Sequence, residues 1–139
     1  MTGASRGIGR AVPAHLSSLG ASLVLGYTSR ADEGDTLGAS LPRSLAMMGD
    51  VPDQAGARSL FNTSLASVRG AWAHILVANS CVLHYSYPTV VGTATKSFNR
   101  LFSLNMRGAV LCLREALNPL PLHCGGRMLD ETSSLVRSL

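Results

Sequence analysis

Thr2-Gly3-Ala4-Ser5-Arg6-Gly7-Ile8-Gly9-Arg10 stands at the start of the chain and decides how the rest is read. Gly3, Gly7 and Gly9 fall close together, and an amphipathic run follows them. Glycine lacks a Cβ and tolerates positive φ, so such a turn lets backbone come close to a ligand. A helix beginning near Gly7 would present its unpaired N–H groups and the positive end of its dipole outward, an arrangement that favours a phosphate. A Walker A loop is excluded: Ile8 holds the place of its second glycine, and no Gly-Lys-Ser/Thr follows. Three glycines alone are equally a turn with no ligand. The order of the elements downstream is what favours a nucleotide.

Working outward, Ile8 to Leu19 reads as a helix. Ile8, Ala11, Val12, His15, Leu16 and Leu19 give it an apolar face, and Gly20 gives it a stop. Pro13, past the first turn, should cost about 3 kcal/mol or kink the helix. Residues 21–26 form a short apolar strand, and residues 32–41 a weakly helical segment holding Gly34 and Gly38. Ser44 to Met48 is the next strand, and Gln54 to Val68 an amphipathic helix carrying Ala57, Leu60, Phe61, Leu65 and Val68 on one side. The unbroken apolar run 73–78 suits a parallel strand covered on both faces. Thr95 to Leu117 is the most sustained helical pattern, and Pro119 and Pro121 end it. Gly125-Gly126-Arg127 then leads into Met128 to Ser133. Strand and helix alternate throughout, which predicts an α/β domain built on a parallel sheet.

The 139 residues amount to one domain or part of one. A hydrophobic content of 46% with only 14% charged residues describes a chain that needs a core. The net charge of +4 raises the question of nucleic acid, but the basic residues are scattered from Arg6 to Arg137 and do not interleave with aromatics. No nucleic-acid partner is therefore expected. Cys81, Cys112 and Cys124 are odd in number and lack metal spacing, and the four histidines form no cluster. They read as reduced thiols in a cytoplasmic protein without a metal. No apolar run reaches the roughly 18 residues of a membrane helix, and no membrane partner is expected.

Thr2, Gly3, Gly7 and Gly9 match the Thr-Gly-x-x-x-Gly-x-Gly turn that opens the short-chain dehydrogenase/reductase family, with Ile8 in its usual place. The chain resembles that family to its end. The resemblance implies residues 1–139 as a partial Rossmann-like, doubly wound parallel sheet binding a nicotinamide dinucleotide. Gly3, Ser5, Arg6, Gly7, Ile8 and Gly9 would lie along the phosphates. No acid closes the second strand, whereas Ser29 and Arg30, with Arg6, can meet an extra phosphate, so NADP is favoured over NAD. Asp50 and Val51 match the pair that holds adenine, although an Asp in such a place is also an ordinary helix cap. Asn79 matches one residue of an Asn-Asn-Ala-Gly segment in which Cys81 replaces the glycine. Asn105 matches an asparagine that orders water near the active-site lysine, and is otherwise a buried amide satisfied by backbone. Ser133, with Ser134 as runner-up, takes the place of the catalytic serine, though a Thr-Ser-Ser run is also an ordinary strand end.

Two departures bear on the chemistry. In the family a buried strand runs into the glycine turn, whereas only Met1 precedes Thr2 here, which predicts unpaired edges on its neighbours. The family's proton donor is a Tyr-x-x-x-Lys pair beyond the serine, and none occurs in these 139 residues, whose only lysine is Lys96. Asp130 and Glu131 are a further difficulty, because adjacent acids in a strand buried on both faces are costly. The resemblance thus implies a truncated NADP-dependent oxidoreductase for carbonyl or alcohol substrates, inactive alone. The alternative is a non-catalytic nucleotide-binding or interaction protein, self-associating or paired with a full-length relative.

Overall fold

The computed structural model describes residues 1–67, 73–84, 86, 88–117, 120 and 125–130. Helix α1 (Ile8–Ser18) leads to β1 (Leu23–Tyr27), α2 (Ala31–Ser40), β2 (Ser44–Met48), α3 (Gln54–Ser67) and β3 (Ile75–Ala78). A long helix follows as α4 (Thr95–Phe102), a wide π turn at Ser103–Gly108, and α5 (Ala109–Leu117); β4 (Arg127–Asp130) closes the described chain.

The α/β order is as the sequence predicts, but α1 turns a different face inward. Gly9, Pro13 and Ser17 are buried, while Ile8 and Leu19 are exposed. The helix runs through Pro13 without ending. Its ring is fully buried, and burying such a side chain contributes about 1.5–3 kcal/mol, comparable with the penalty of the missing N–H. Helix α3 starts at a capped end, where the Asp53 carboxylate accepts the Gly56 N–H at 2.8 Å. The glycines that make 31–40 look weakly helical let α2 lie close to the sheet. A Cβ on Gly34 would overlap the Tyr27 ring, and one on Gly38 would meet the Ala46 Cβ at 2.6 Å.

Both strand pairs are parallel. Strand β1 lies beside β2 with Leu23 opposite Ser44, and β3 beside β4 with Ile75 opposite Arg127. Met1 and Thr2 join the pairs. The Met1 nitrogen donates to the Val24 carbonyl at 2.8 Å, Gly26 N–H to the Met1 carbonyl at 2.8 Å, and Thr2 N–H to the Val77 carbonyl at 3.0 Å. The order across the sheet is therefore β2, β1, residues 1–2, β3, β4. The central strand is thus incomplete, as expected: among the described residues only Met1 and Thr2 stand between β1 and β3, joined to both by a few backbone bonds.

Two apolar clusters cover the sheet. Ala4, Leu25 and Leu37 form one around β1, and Val51, Leu60, Leu76, Ala78, Cys112, Ala116 and Leu120 form the other around β3. Strand β4 is exposed along its whole length. Among the described residues β4 is an outermost strand, and Asp130 is exposed there rather than buried. Glu131 lies outside the described residues.

Candidate functional site

The glycine turn sits where Met1 and Thr2 leave the sheet and α1 begins. Gly3 and Gly7 have positive φ, 67° and 53°. The three glycines do different work. A Cβ on Gly9 would overlap the Gly3 carbonyl oxygen and lie 2.6 Å from Asn79 Nδ2. At Gly7 a Cβ would meet nothing within 4 Å. Gly9 therefore serves close packing, and Gly7 faces open space.

Asn79, at the end of β3, ties the turn to the sheet. Its Nδ2 donates to the carbonyls of Thr2 at 3.0 Å and Gly3 at 3.2 Å. Thr2 answers from the other side: its Oγ1 accepts the backbone N–H groups of Asn79 at 3.0 Å and Ser80 at 3.1 Å. The sequence shows Thr2 only as a motif match. Its role as a double acceptor emerges from the geometry.

A cavity of about 1170 Å³ opens above the strand ends, beyond the roughly 300–1,000 Å³ of ordinary small-molecule sites. Gly3, Ser5, Arg6, Gly7, Ile8 and Gly9 form one wall of it. Ser29 joins from the end of β1, Asp50 and Val51 from beyond β2, and Asn79 from the end of β3. Asn105 completes the set from the π turn. Thr28 and Ser80 line it too, although sequence reading did not single them out. No acid occupies the first turn of α1, and Arg6 forms no ion pair among the described residues. That wall is suited to an anion.

Arg30 is not among the lining residues. It holds a left-handed conformation before α2, and its guanidinium pairs with Glu33 at 2.6 Å. To meet a phosphate it must release that partner. Ser133 lies outside the described residues, as do Ser134 and Cys124.

Asn105 uses its amide in full view of the cavity. Its Oδ1 accepts the Val82 N–H at 2.9 Å, and its Nδ2 donates to the Val82 carbonyl at 2.9 Å. It clamps the loop after β3 to the helix, and one N–H of its Nδ2 and one lone pair of its Oδ1 are left to order water. Cys81 is exposed in the cavity wall. Cys112, in the core cluster around β3, is buried, and burial pushes its thiol up to about 11. It stays protonated near neutral pH. Among the described residues, no three His, Cys, Asp or Glu side chains converge on a point that could hold a metal, and no helix is long and apolar enough to cross a membrane.

Residues 3–138 match the family model described as enoyl-(acyl carrier protein) reductase. The chain is 36% identical over 152 residues to the NADPH-dependent aldehyde reductase-like protein, chloroplastic, of Arabidopsis thaliana. It is 32% identical over 153 residues to NADPH-dependent aldehyde reductase 2, chloroplastic, of the same plant. Each alignment takes in 100% of this chain and 56% of the relative. A solved short-chain dehydrogenase/reductase from Serratia marcescens superposes on 93% of the chain with a TM-score of 0.83 at 25% identity, using 52% of that protein. The chain spans about half the length of the relatives it matches.

Proposed function

The chain belongs to the short-chain dehydrogenase/reductase family, and on that footing we propose that it binds NADP(H) across the 3–9 turn and carries the cofactor half of a carbonyl reductase. The observation that supports this most is the convergence of the turn, Ser29, Asp50, Asn79 and Asn105 on one large cavity. The backbone amides at the head of α1, with Arg6, hold the pyrophosphate. Ser29, and Arg30 once freed from Glu33, receive the additional phosphate. Asp50 accepts from the adenine amine, and Val51, buried below it, packs against the ring. When bound, the cofactor supplies a hydride for a carbonyl carbon. Asn105 fixes the Val82 backbone beside that place, and Ser133 would donate to the carbonyl oxygen. These 139 residues hold no Tyr-x-x-x-Lys to deliver the proton. The polypeptide is therefore read as taking up cofactor without turning over.

NADPH should bind roughly tenfold more tightly than NADH, as one extra charge-assisted phosphate contact gives. Titration by nicotinamide fluorescence checks this. NADPH with benzaldehyde should be consumed no faster than in buffer. Equal affinity for NADH removes the NADP assignment, and protein-dependent oxidation removes the reading of an inactive chain. The names of the two plant relatives favour NADPH and an aldehyde. The thiols of Cys81 and Cys112, free in the structure, favour a reducing compartment such as the cytoplasm.

A second reading, interaction, is supported by the outer face of the long helix. Phe98, Phe102, Met106 and Val110 are each about half exposed in one line, and the two phenyl rings lie 4.8 Å apart. Such a stripe suits a second copy or a full-length relative. Light scattering should show a dimer, and Phe102→Asp should shift it to monomer. A wild-type monomer at all concentrations would count against the stripe as a contact.

A further inference from the structure

A smaller cavity of about 350 Å³ lies next to the large one, sharing Val82, Leu83 and Arg100 in its wall. Two segments build it. Ser97, Arg100 and Leu101 stand at i, i+3 and i+4 on α4, so they share one face. Opposite them is the loop after β3, where Ser86 Oγ and His84 Nδ1 are 2.9 Å apart. Val82, Leu83 and Leu101 make one part of the surface apolar. Ser86, Ser97, His84 and Arg100 make the other part polar. Among the described residues no acid lines it and Arg100 has no ion-pair partner.

We propose that this cavity takes the carboxylate end of a short apolar chain, with Arg100 as its recognition residue. The guanidinium is a planar fork matched to a carboxylate, and it is the fixed charge in the wall. Ser86 and Ser97 add hydroxyl donors, and the leucines and Val82 cover the methylenes. A phosphate dianion would call for more cationic partners than this wall holds. Because Arg100 belongs to both cavities, a ligand reaching from the Asn105 side would place its far end here. The substrate class is then an oxo-acid whose carbonyl lies in the large cavity and whose carboxylate lies at Arg100. That statement of which end reacts rests on the reductase reading; the recognition of the carboxylate does not.

The test compares hexanoate with hexanol on the full 139-residue chain by NMR titration, without cofactor. Hexanoate should bind roughly tenfold more tightly, the scale of one charge-assisted contact, and should shift the amides of Ser97, Arg100 and Leu101. Arg100→Gln should bring the two probes to equal affinity, and Arg100→Lys should restore part of the difference. Arg100 is exposed, so these variants keep the fold, which circular dichroism verifies. Equal affinities in the wild type, no binding of either probe, or a preference that survives Arg100→Gln each overturn the proposal. NADPH titration of the same samples separates the two readings. Lost NADPH binding with the hexanoate preference intact overturns the cofactor assignment alone; NADPH binding without the preference overturns the carboxylate site alone.

Discussion

Gly9→Ala is expected to destabilise the fold by about 3 kcal/mol, the upper end of overpacking penalties, and to abolish NADPH binding. The added methyl has nowhere to go. It would overlap the Gly3 carbonyl oxygen, and on its other side it would press on Asn79 Nδ2 at 2.6 Å. Neither neighbour is the free end of a flexible side chain. The Gly3 carbonyl is fixed in the turn, and Asn79 is held by two hydrogen bonds to residues 2 and 3. Relief requires α1 to lift from the sheet, which carries the amides at its head away from the strand ends. Gly7→Ala is the matched control. Its Cβ meets nothing, so the penalty is the backbone strain of φ 53° with ψ −135°, about 1–3 kcal/mol. Urea denaturation with parallel NADPH titration distinguishes the two. A Gly9→Ala protein as stable as the wild type would show that the turn adjusts freely.

Thr2→Val should cost about 2–4 kcal/mol. Valine keeps the shape of threonine but offers no acceptor. The backbone N–H groups of Asn79 and Ser80 both donate to Thr2 Oγ1, and Thr2 is only 5% exposed. Two amides would lose their partner in a partly buried place, where each unsatisfied donor costs about 1–3 kcal/mol. The loss falls on the joint between the strand pairs. Thr2→Ser retains the oxygen and should recover most of the stability. The midpoints of urea unfolding for the three proteins check this, and a Thr2→Val midpoint equal to that of Thr2→Ser would remove the hydroxyl from the account.

Much of this architecture was legible in the residues. The strand at 44–48 appears with the boundaries its apolar run implies, and the 95–117 helix appears where its repeat lies. The inward face of α1 was not legible. Apolar positions surround that helix on more than one side, and the choice among them is made by Gly9, which must touch Gly3. The joint at residues 1–2 consists of backbone hydrogen bonds, which leave no pattern in side chains. The exposure of Asp130 was not legible either, because a strand pattern does not say which strand lies outermost among the described residues. The pairing of Arg30 carries a legible signal: Glu33 stands three residues on, a spacing that pairs charges on a helix. Apart from Arg30, the residues proposed for the cofactor line one cavity, because the turn and each strand end carry recognisable small or polar residues. The cavity holding Arg100 carries no motif, since its parts come from a loop and a helix far apart in their roles.

The wide turn at 103–108 also sets the angular phase of everything beyond it. An α-helix advances about 100° per residue, so over twelve residues Val110 would point about 120° away from Phe98. A π turn absorbs one extra residue, and the discrepancy falls to about 20°. Phe98, Phe102, Met106 and Val110 align for that reason. Drawing the segment into regular α-helix with all its residues kept would rotate the C-terminal half by about 100°, carrying Val110 out of line and swinging the buried Leu111, Cys112 and Ala116 off the sheet; removing one residue would leave the phase as it is.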